Sequence, residues 1–226
     1  QEKEGEIGYK AAVFYCKTFD KFHENDIGYV LDIGGGSFQV VEKLANHEYS
    51  IFKGNYGASN FYKAARAYGM DKDDVTALRY MNQDELQKAK IFVQENVIDS
   101  IKEHLSTCST ANAEKEVLAI GQFMNVGTKS LSGHDVLTKT EVSQILEDVS
   151  KLTIDEANAA YPLFGSQFIL NAQTNLLLLE GIMEGFGINE LTMVNAKSVD
   201  YVAYDENIWS NSLHSNSIPV ELFAFA

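Results

Sequence analysis

The chain has 226 residues, 45% of them hydrophobic and 22% charged, with a formal net charge of −14. That is ordinary globular usage, and the length can bury roughly 70% of the unfolded surface around one core. The acidic excess argues against a surface built to bind nucleic acid, and no apolar run approaches the ~20 residues that span a bilayer, so a cytoplasmic protein touching neither nucleic acid nor membrane is expected.

In chain order, a helix is expected over residues 8–19. Three strands, 28–33, 38–44 and 49–53, follow as a meander, and then a short helix over 58–68. Leu86, Ala89, Val93, Val97, Ile101 and Leu105 recur at helical spacing. They predict one long helix over 82–105, opened by a capping box of Asn82 and Glu85. Glu-Val-Leu-Ala-Ile, 116–120, reads as a buried strand ending at Gly121. Thr138 and Glu141 form a second capping box, for a helix through 152. A further helix over 153–160 is stopped by Pro162. A second long helix spans 166–186 and ends at Gly187, the residue type favoured just past a helix C-terminus. A strand over 191–194 and a short helix over 199–204 complete the expected lobe, residues 1–208, with a tail over 209–226. This order gives an α/β fold: a mixed sheet with a three-strand meander and flanking helices.

The chemistry concentrates in Tyr-Val-Leu-Asp-Ile-Gly-Gly-Gly-Ser-Phe-Gln-Val-Val-Glu, residues 29–42. A buried-type strand leads into Asp32, three glycines (Gly34, Gly35, Gly36) and Ser37, and a second strand returns at once. Glycine lets a backbone reach φ > 0 and approach a ligand closely. A tight hairpin of this kind can aim backbone N–H groups at an anion, as a nest does. Asp32 adds a carboxylate suited to Mg²⁺ or another divalent cation, usually through water. A plain glycine-rich turn without a ligand fits the same local pattern. Neither G-x-G-x-x-G opening a helix nor G-x-x-x-x-G-K-[ST] occurs.

Asp-Ile-Gly-Gly-Gly-Ser-Phe-Gln resembles the second phosphate-binding motif of the exopolyphosphatase/guanosine pentaphosphate phosphatase family (Ppx/GppA), and that of the related apyrases. The three glycines match the first family and Gln39 the second; Phe38 fits neither. Residues 4–9, Glu-Gly-Glu-Ile-Gly-Tyr, resemble the segment that carries the catalytic glutamate in both families. Glu4, Gly5 and Tyr9 fall on its pattern. From the residues alone, Glu4 also fits an exposed glutamate in a polar terminal segment. Residues 171–187 and 190–194 resemble the last helix and strand of the same core. The resemblance implies an actin-like, ribonuclease H-like lobe acting as a phosphoanhydride hydrolase on polyphosphate, guanosine pentaphosphate or a nucleoside triphosphate. It implies Glu4 as the base that activates water, Ser37 and Gln39 as groups that orient that water, and residues 34–37 as the phosphate cradle. Asp32 would hold Mg²⁺, and Gly121 would open a third loop.

The family sites its chemistry between two lobes, the first carrying an Asp-x-Gly-Ser-x-Ser loop. No such motif occurs here, so a first lobe in the same or another chain is the expected partner; a homodimer is also open. At the third loop the chain reads Gly121-Gln122-Phe123 where the family often has Gly-Gly-Thr. Ser198, Asp200 and Val202 stand where it often has glycine, arginine and glycine. These departures keep open a non-catalytic nucleotide- or polyphosphate-binding module of the same fold. Lys10, Lys17, Lys53 and Arg66 are the basic residues nearest the motif in sequence, most of them expected as solvated surface charges. His23, His47, His104, His134 and His214 form no H-x-x-x-H pair. Cys16 and Cys108 make no framework; free thiols are the simpler reading, with one disulfide left open.

Overall fold

Six strands form one sheet: β1 Ile27–Ile33, β2 Phe38–Lys43, β3 Tyr49–Gly54, β4 Glu116–Ile120, β5 Val136–Thr138 and β6 Glu190–Met193. They lie in the order β3-β2-β1-β4-β6-β5. The meander β1-β2-β3 is antiparallel, β4 and β6 join β1 in parallel, and β5 returns antiparallel on β6. The computed structural model describes residues 2–19, 21–107, 115–162 and 166–196. Cys108, Ser198, Asp200, Val202, the helix expected over 199–204 and the tail from 209 lie outside the described residues. The expected mixed α/β class holds.

Alternation along the strands divides the core between the two faces of the sheet. Val30, Val41, Leu118 and Ile120 pack against Tyr9, Ala12, Val13 and Cys16 of helix α1, Glu2–Thr18. Tyr29, Leu31, Phe38, Val40 and Phe52 face the other way. There they meet α2 (Ala58–Gly69), α3 (Gln83–Val93), α4 (Asp99–Thr107) and α9 (Ala172–Phe186). Phe38, which matched neither family, is core: it pairs with Gly54 across β2 and β3. Its ring lies 1.9 Å from where a Gly54 Cβ would stand, so ring and glycine share one volume.

Several boundaries differ from the sequence reading. Helix α1 begins at Glu2, not residue 8, because Gly5 lets its first turn lie close on β2 and β3. A Cβ at Gly5 would stand 2.7 Å from Gln39 Oε1. The long helix expected over 82–105 is α3 and α4 joined by a π-helical turn, Gln94–Ile98. The expected 166–186 helix is α8, Ser166–Ile169, followed after a break by α9. Gly121 is followed by a π-helical segment, Phe123–Thr128, and by α5, Lys129–Ser132. Both expected capping boxes form, for α3 and for α6 (Lys139–Val149), and Thr153 with Glu156 makes a third for α7 (Ile154–Ala160).

Arg66 is not a solvated charge. It is 2% exposed and donates to the carbonyls of Val75 (3.1 Å), Arg79 (2.7 Å) and Ala77. It thereby ties the 70–81 connection to α2. Gln173 of α9 grips the end of that connection, donating to Met81 O (2.9 Å) and accepting from Met81 N (2.8 Å). Arg66→Leu would remove the donor from three part-buried carbonyls. It is expected to cost about 1–3 kcal/mol, read as a fall in the urea midpoint; a variant within about 0.5 kcal/mol of the parent would contradict this role.

Candidate active site

The β1–β2 turn sits at the end of the sheet where the parallel strands finish. Gly34 N–H closes it by donating to Ser37 O (3.0 Å). None of Gly34, Gly35 or Gly36 has positive φ, so the turn is not a nest of left-handed glycines. Helix α2 holds it instead. The N-cap of α2 is Gly57, which has no capping side chain. The first N–H groups of α2 are taken up by the loop: Ala58 N donates to Gly34 O (2.9 Å), and Ser59 N to Gly35 O (2.9 Å). Asn60 adds its backbone N–H to Gly35 O (3.2 Å) and its amide Nδ2 to Gly36 O (3.1 Å). Loop carbonyls and helix amides thus satisfy each other. Among the described residues no backbone acceptor takes the N–H of Gly35, Gly36 or Ser37. Gly34 drops out of the expected amide set, because its N–H closes the turn.

Glu4, Asp32 and Gln39 come together on the α1 face. Asp32 and Gln39 are register partners on β1 and β2. Gln39, 8% exposed, donates through Nε2 to Glu4 Oε2 at 3.4 Å. Burial, with the Glu4 charge nearby, pushes the Asp32 carboxyl up to about 6. Gly121 closes over it with φ +92°, and a Cβ there would stand 2.7 Å from Asp32 Oδ1. The requirement for glycine is therefore double: left-handed backbone and space for a carboxylate. Asn125 fixes this turn by donating to the carbonyls of Gly121 (3.1 Å) and Val194 (2.8 Å).

Two clefts flank the loop. One of about 350 Å³ is lined by Gly36, Ser37, Gln39, Gly54, Asn55 and Lys53. Lys53 lies there because it is the register partner of Gln39, a placement that hairpin pairing alone could have revealed. The other, about 330 Å³, runs from Asp32, Gly34 and Gly35 past Ser59 to Gln122, Phe123, Asn171 and Asn175. Gln122 and Phe123, which follow Gly121, therefore share a cleft with the β1–β2 turn. Lys10 pairs with Glu6 and Lys17 with Glu24, so of the four basic residues singled out Lys53 lines a cleft beside the loop.

Among the described residues no group of three or more His, Cys, Asp or Glu side chains converges. The donor set fits a cation that keeps its water and borrows phosphate oxygens, the usual habit of Mg²⁺. Asp32 would be its protein contact, and a cation there would relieve a carboxylate now desolvated beside a second acid. Among the described residues no helix is long and apolar enough to cross a membrane.

No protein-family model and no curated protein sequence matches the chain. Solved structures do. A Ppx/GppA phosphatase of Aquifex aeolicus, in its type II variant, superposes with a TM-score of 0.66 at 13% identity, covering 89% of this chain and 62% of that one. Another structure of the Aquifex aeolicus family member gives 0.65 at 13%, covering 96% and 64%. An exopolyphosphatase from Cytophaga hutchinsonii gives 0.61 at 14%, covering 89% and 63%. The chain thus spans less than two thirds of the length of these structures. At these TM-scores over most of the chain, the protein has the actin-like α/β fold of the Ppx/GppA phosphatase structures.

Proposed function

We infer that this chain supplies one wall of the active site of a phosphoanhydride hydrolase. The observation that carries the reading is the meeting of Glu4, Gln39 and Asp32 beside a loop whose N–H groups at Gly35, Gly36 and Ser37 have no backbone acceptor. Those amides, with Lys53 beside them, bind the terminal phosphate. Ser37 and Gln39 orient a water, and Glu4 takes its proton as it attacks phosphorus; the bridging P–O bond breaks, and the shortened phosphate chain leaves with its electron pair. Positioning and electrostatics of this kind do most of the work in phosphoryl transfer. Asp32 would hold Mg²⁺, which when bound would compensate the charge of phosphate oxygens. Polyphosphate, guanosine pentaphosphate and nucleoside triphosphates are the substrate class, by likeness to the phosphatases above. The facing wall of the cleft comes from a further lobe, as the share of the neighbours left uncovered suggests. A non-catalytic phosphate-binding module is the second reading, favoured by Phe123 in the third loop, where the family often has threonine.

Asp32 gives the test. Its raised pKa means that the metal-free fold prefers the neutral acid. Its contribution to stability is intact below about pH 4 and is lost as pH rises through about 6. Asp32→Asn, without metal at pH 7.5, is expected to gain about 2–3 kcal/mol, a rise in Tm on the order of 5 °C. At pH 4 the difference should vanish. Tripolyphosphate with Mg²⁺ should raise the Tm of the parent more than tripolyphosphate alone, and Asp32→Asn should lose that increment. An Asp32→Asn protein that still gains from Mg²⁺ would remove Asp32 as the metal contact.

A further inference from the structure

The carbonyls of Gly34, Gly35 and Gly36 all lean on the start of α2. Gly34 O accepts from Ala58 N (2.9 Å), Gly35 O from Ser59 N (2.9 Å) and Asn60 N (3.2 Å), and Gly36 O from Asn60 Nδ2 (3.1 Å). These peptides are trans, so each is planar with its C=O and N–H on opposite edges. A carbonyl turned toward α2 therefore turns the next residue's N–H away from it. The amides of Gly35, Gly36 and Ser37 are the N–H ends of those same three peptides, so they point away from the helix together. The supports differ in kind. Backbone N–H groups of residues 58–60 hold the first two carbonyls, and any residue but proline supplies those. Among the described residues, the third carbonyl is held by a side chain, Asn60.

We propose that Asn60 is a positioning residue for the phosphate site: its side-chain amide holds the Gly36–Ser37 peptide in the orientation that turns the Ser37 N–H toward the ligand. The inference rests on the phosphate-chain reading of the loop. Glycine at position 36 removes the Cβ that would otherwise resist rotation of this peptide. Turned over, the peptide would present the Gly36 carbonyl where the Ser37 N–H now points. A carbonyl oxygen and a phosphate oxygen are both acceptors, so one turned peptide exchanges an attraction for a repulsion. Asn60 Nδ2 opposes that state, and it lies against the Gly36 backbone: a Cβ at Gly36 would stand 3.6 Å from it. Position 60 needs a donor. Of the side chains of similar shape, an ionised aspartate offers acceptors only, and leucine offers neither. The Asn60–Gly36 bond is exposed to solvent, where a hydrogen bond adds little to the fold. Stability and site geometry therefore separate at this residue.

The experiment titrates pyrophosphate with Mg²⁺ into the isotope-labelled 226-residue chain, as parent, Asn60→Leu and Asn60→Ala, and follows each loop amide. In the parent, Gly35, Gly36 and Ser37 should all shift. In both variants the Ser37 response should be lost while those of Gly35 and Gly36 persist, because backbone donors still hold their peptides. Affinity should weaken about tenfold, the worth of one hydrogen bond to a charged group. The Tm should fall by less than about 3 °C. A Ser37 shift of parental size in either variant would overturn the role of Asn60 and leave the phosphate site standing. Joint loss of all three shifts, or a larger fall in Tm, would make Asn60 a prop of the whole loop and overturn it equally. If the parent shows no shift at residues 35–37, the phosphate reading falls and this inference falls with it.

Discussion

Glu4→Gln is expected to slow phosphate release by about 10²–10⁴-fold, the usual contribution of a positioned general base, with ligand affinity nearly unchanged. The substitution keeps size and shape. A glutamine oxygen can still accept from Gln39 Nε2, now 3.4 Å from Glu4 Oε2, so the first turn of α1 stays on β2. What is lost is the ability to hold a proton taken from water. Affinity should be spared because the proposed phosphate contacts are the amides of Gly35, Gly36 and Ser37 and the Lys53 side chain, not this carboxylate. The comparison is single-turnover phosphate release in the natural protein that carries this chain, with nucleotide and tripolyphosphate. Equal rates for variant and parent would take Glu4 out of the mechanism.

Gly57→Ala should do more damage than alanine at any of the three loop glycines themselves, whose added Cβ would meet nothing nearer than 3.4 Å. A Cβ at Gly57 would stand 2.3 Å from Gly34 O, 2.5 Å from Ser37 N and 2.7 Å from the carbonyl carbon of Gly35. All three are backbone atoms, and none can rotate away. Either the loop moves or α2 does, and the caps from Gly34 O and Gly35 O to α2 break with it. A cost of about 1–3 kcal/mol is expected, together with loss of anion binding at residues 35–37. Gly35→Ala is the control for the fold, since its added Cβ meets Ser59 Oγ at an ordinary 3.6 Å. A Gly57→Ala protein that binds pyrophosphate like the parent would show that α2 does not hold the loop.

Much of this was legible in the chain because it depends on local chemistry. Asn82/Glu85 and Thr138/Glu141 announced their helices through side chains, and the meander strands through alternation and the turn between them. The pairing of Asp32 with Gln39 follows from a tight hairpin, and Glu4 came through family resemblance alone. What stayed hidden depends on backbone meeting backbone. Nothing in Tyr-Gly-Ala-Ser-Asn, residues 56–60, names the loop carbonyls as the cap of α2; the one signal is the lack of a capping side chain at Gly57. The three glycines suggested left-handed backbone, yet none has it, while Gly121 does. Strand β5, three residues long, is too short to show a period. Arg66 looked like a surface cation, and only its carbonyl partners, nine to thirteen residues on, make it structural. Asn175 sits in the Asn-Leu-Leu-Leu-Leu run of α9, where composition speaks of core and hides a polar atom without a partner.

The central claim is that the loop at residues 35–37 binds phosphate and that Mg²⁺ helps through Asp32. The direct measurement is the amide chemical-shift change of the 226-residue chain on titration with pyrophosphate, with and without Mg²⁺, for the parent and for Gly35→Val. The largest shifts are expected at Gly35, Gly36 and Ser37. They should saturate at lower pyrophosphate with Mg²⁺ present, and vanish when a valine side chain fills the approach at position 35. Shifts clustered elsewhere, or a Gly35→Val protein that binds as well as the parent, would make the loop a turn and nothing more.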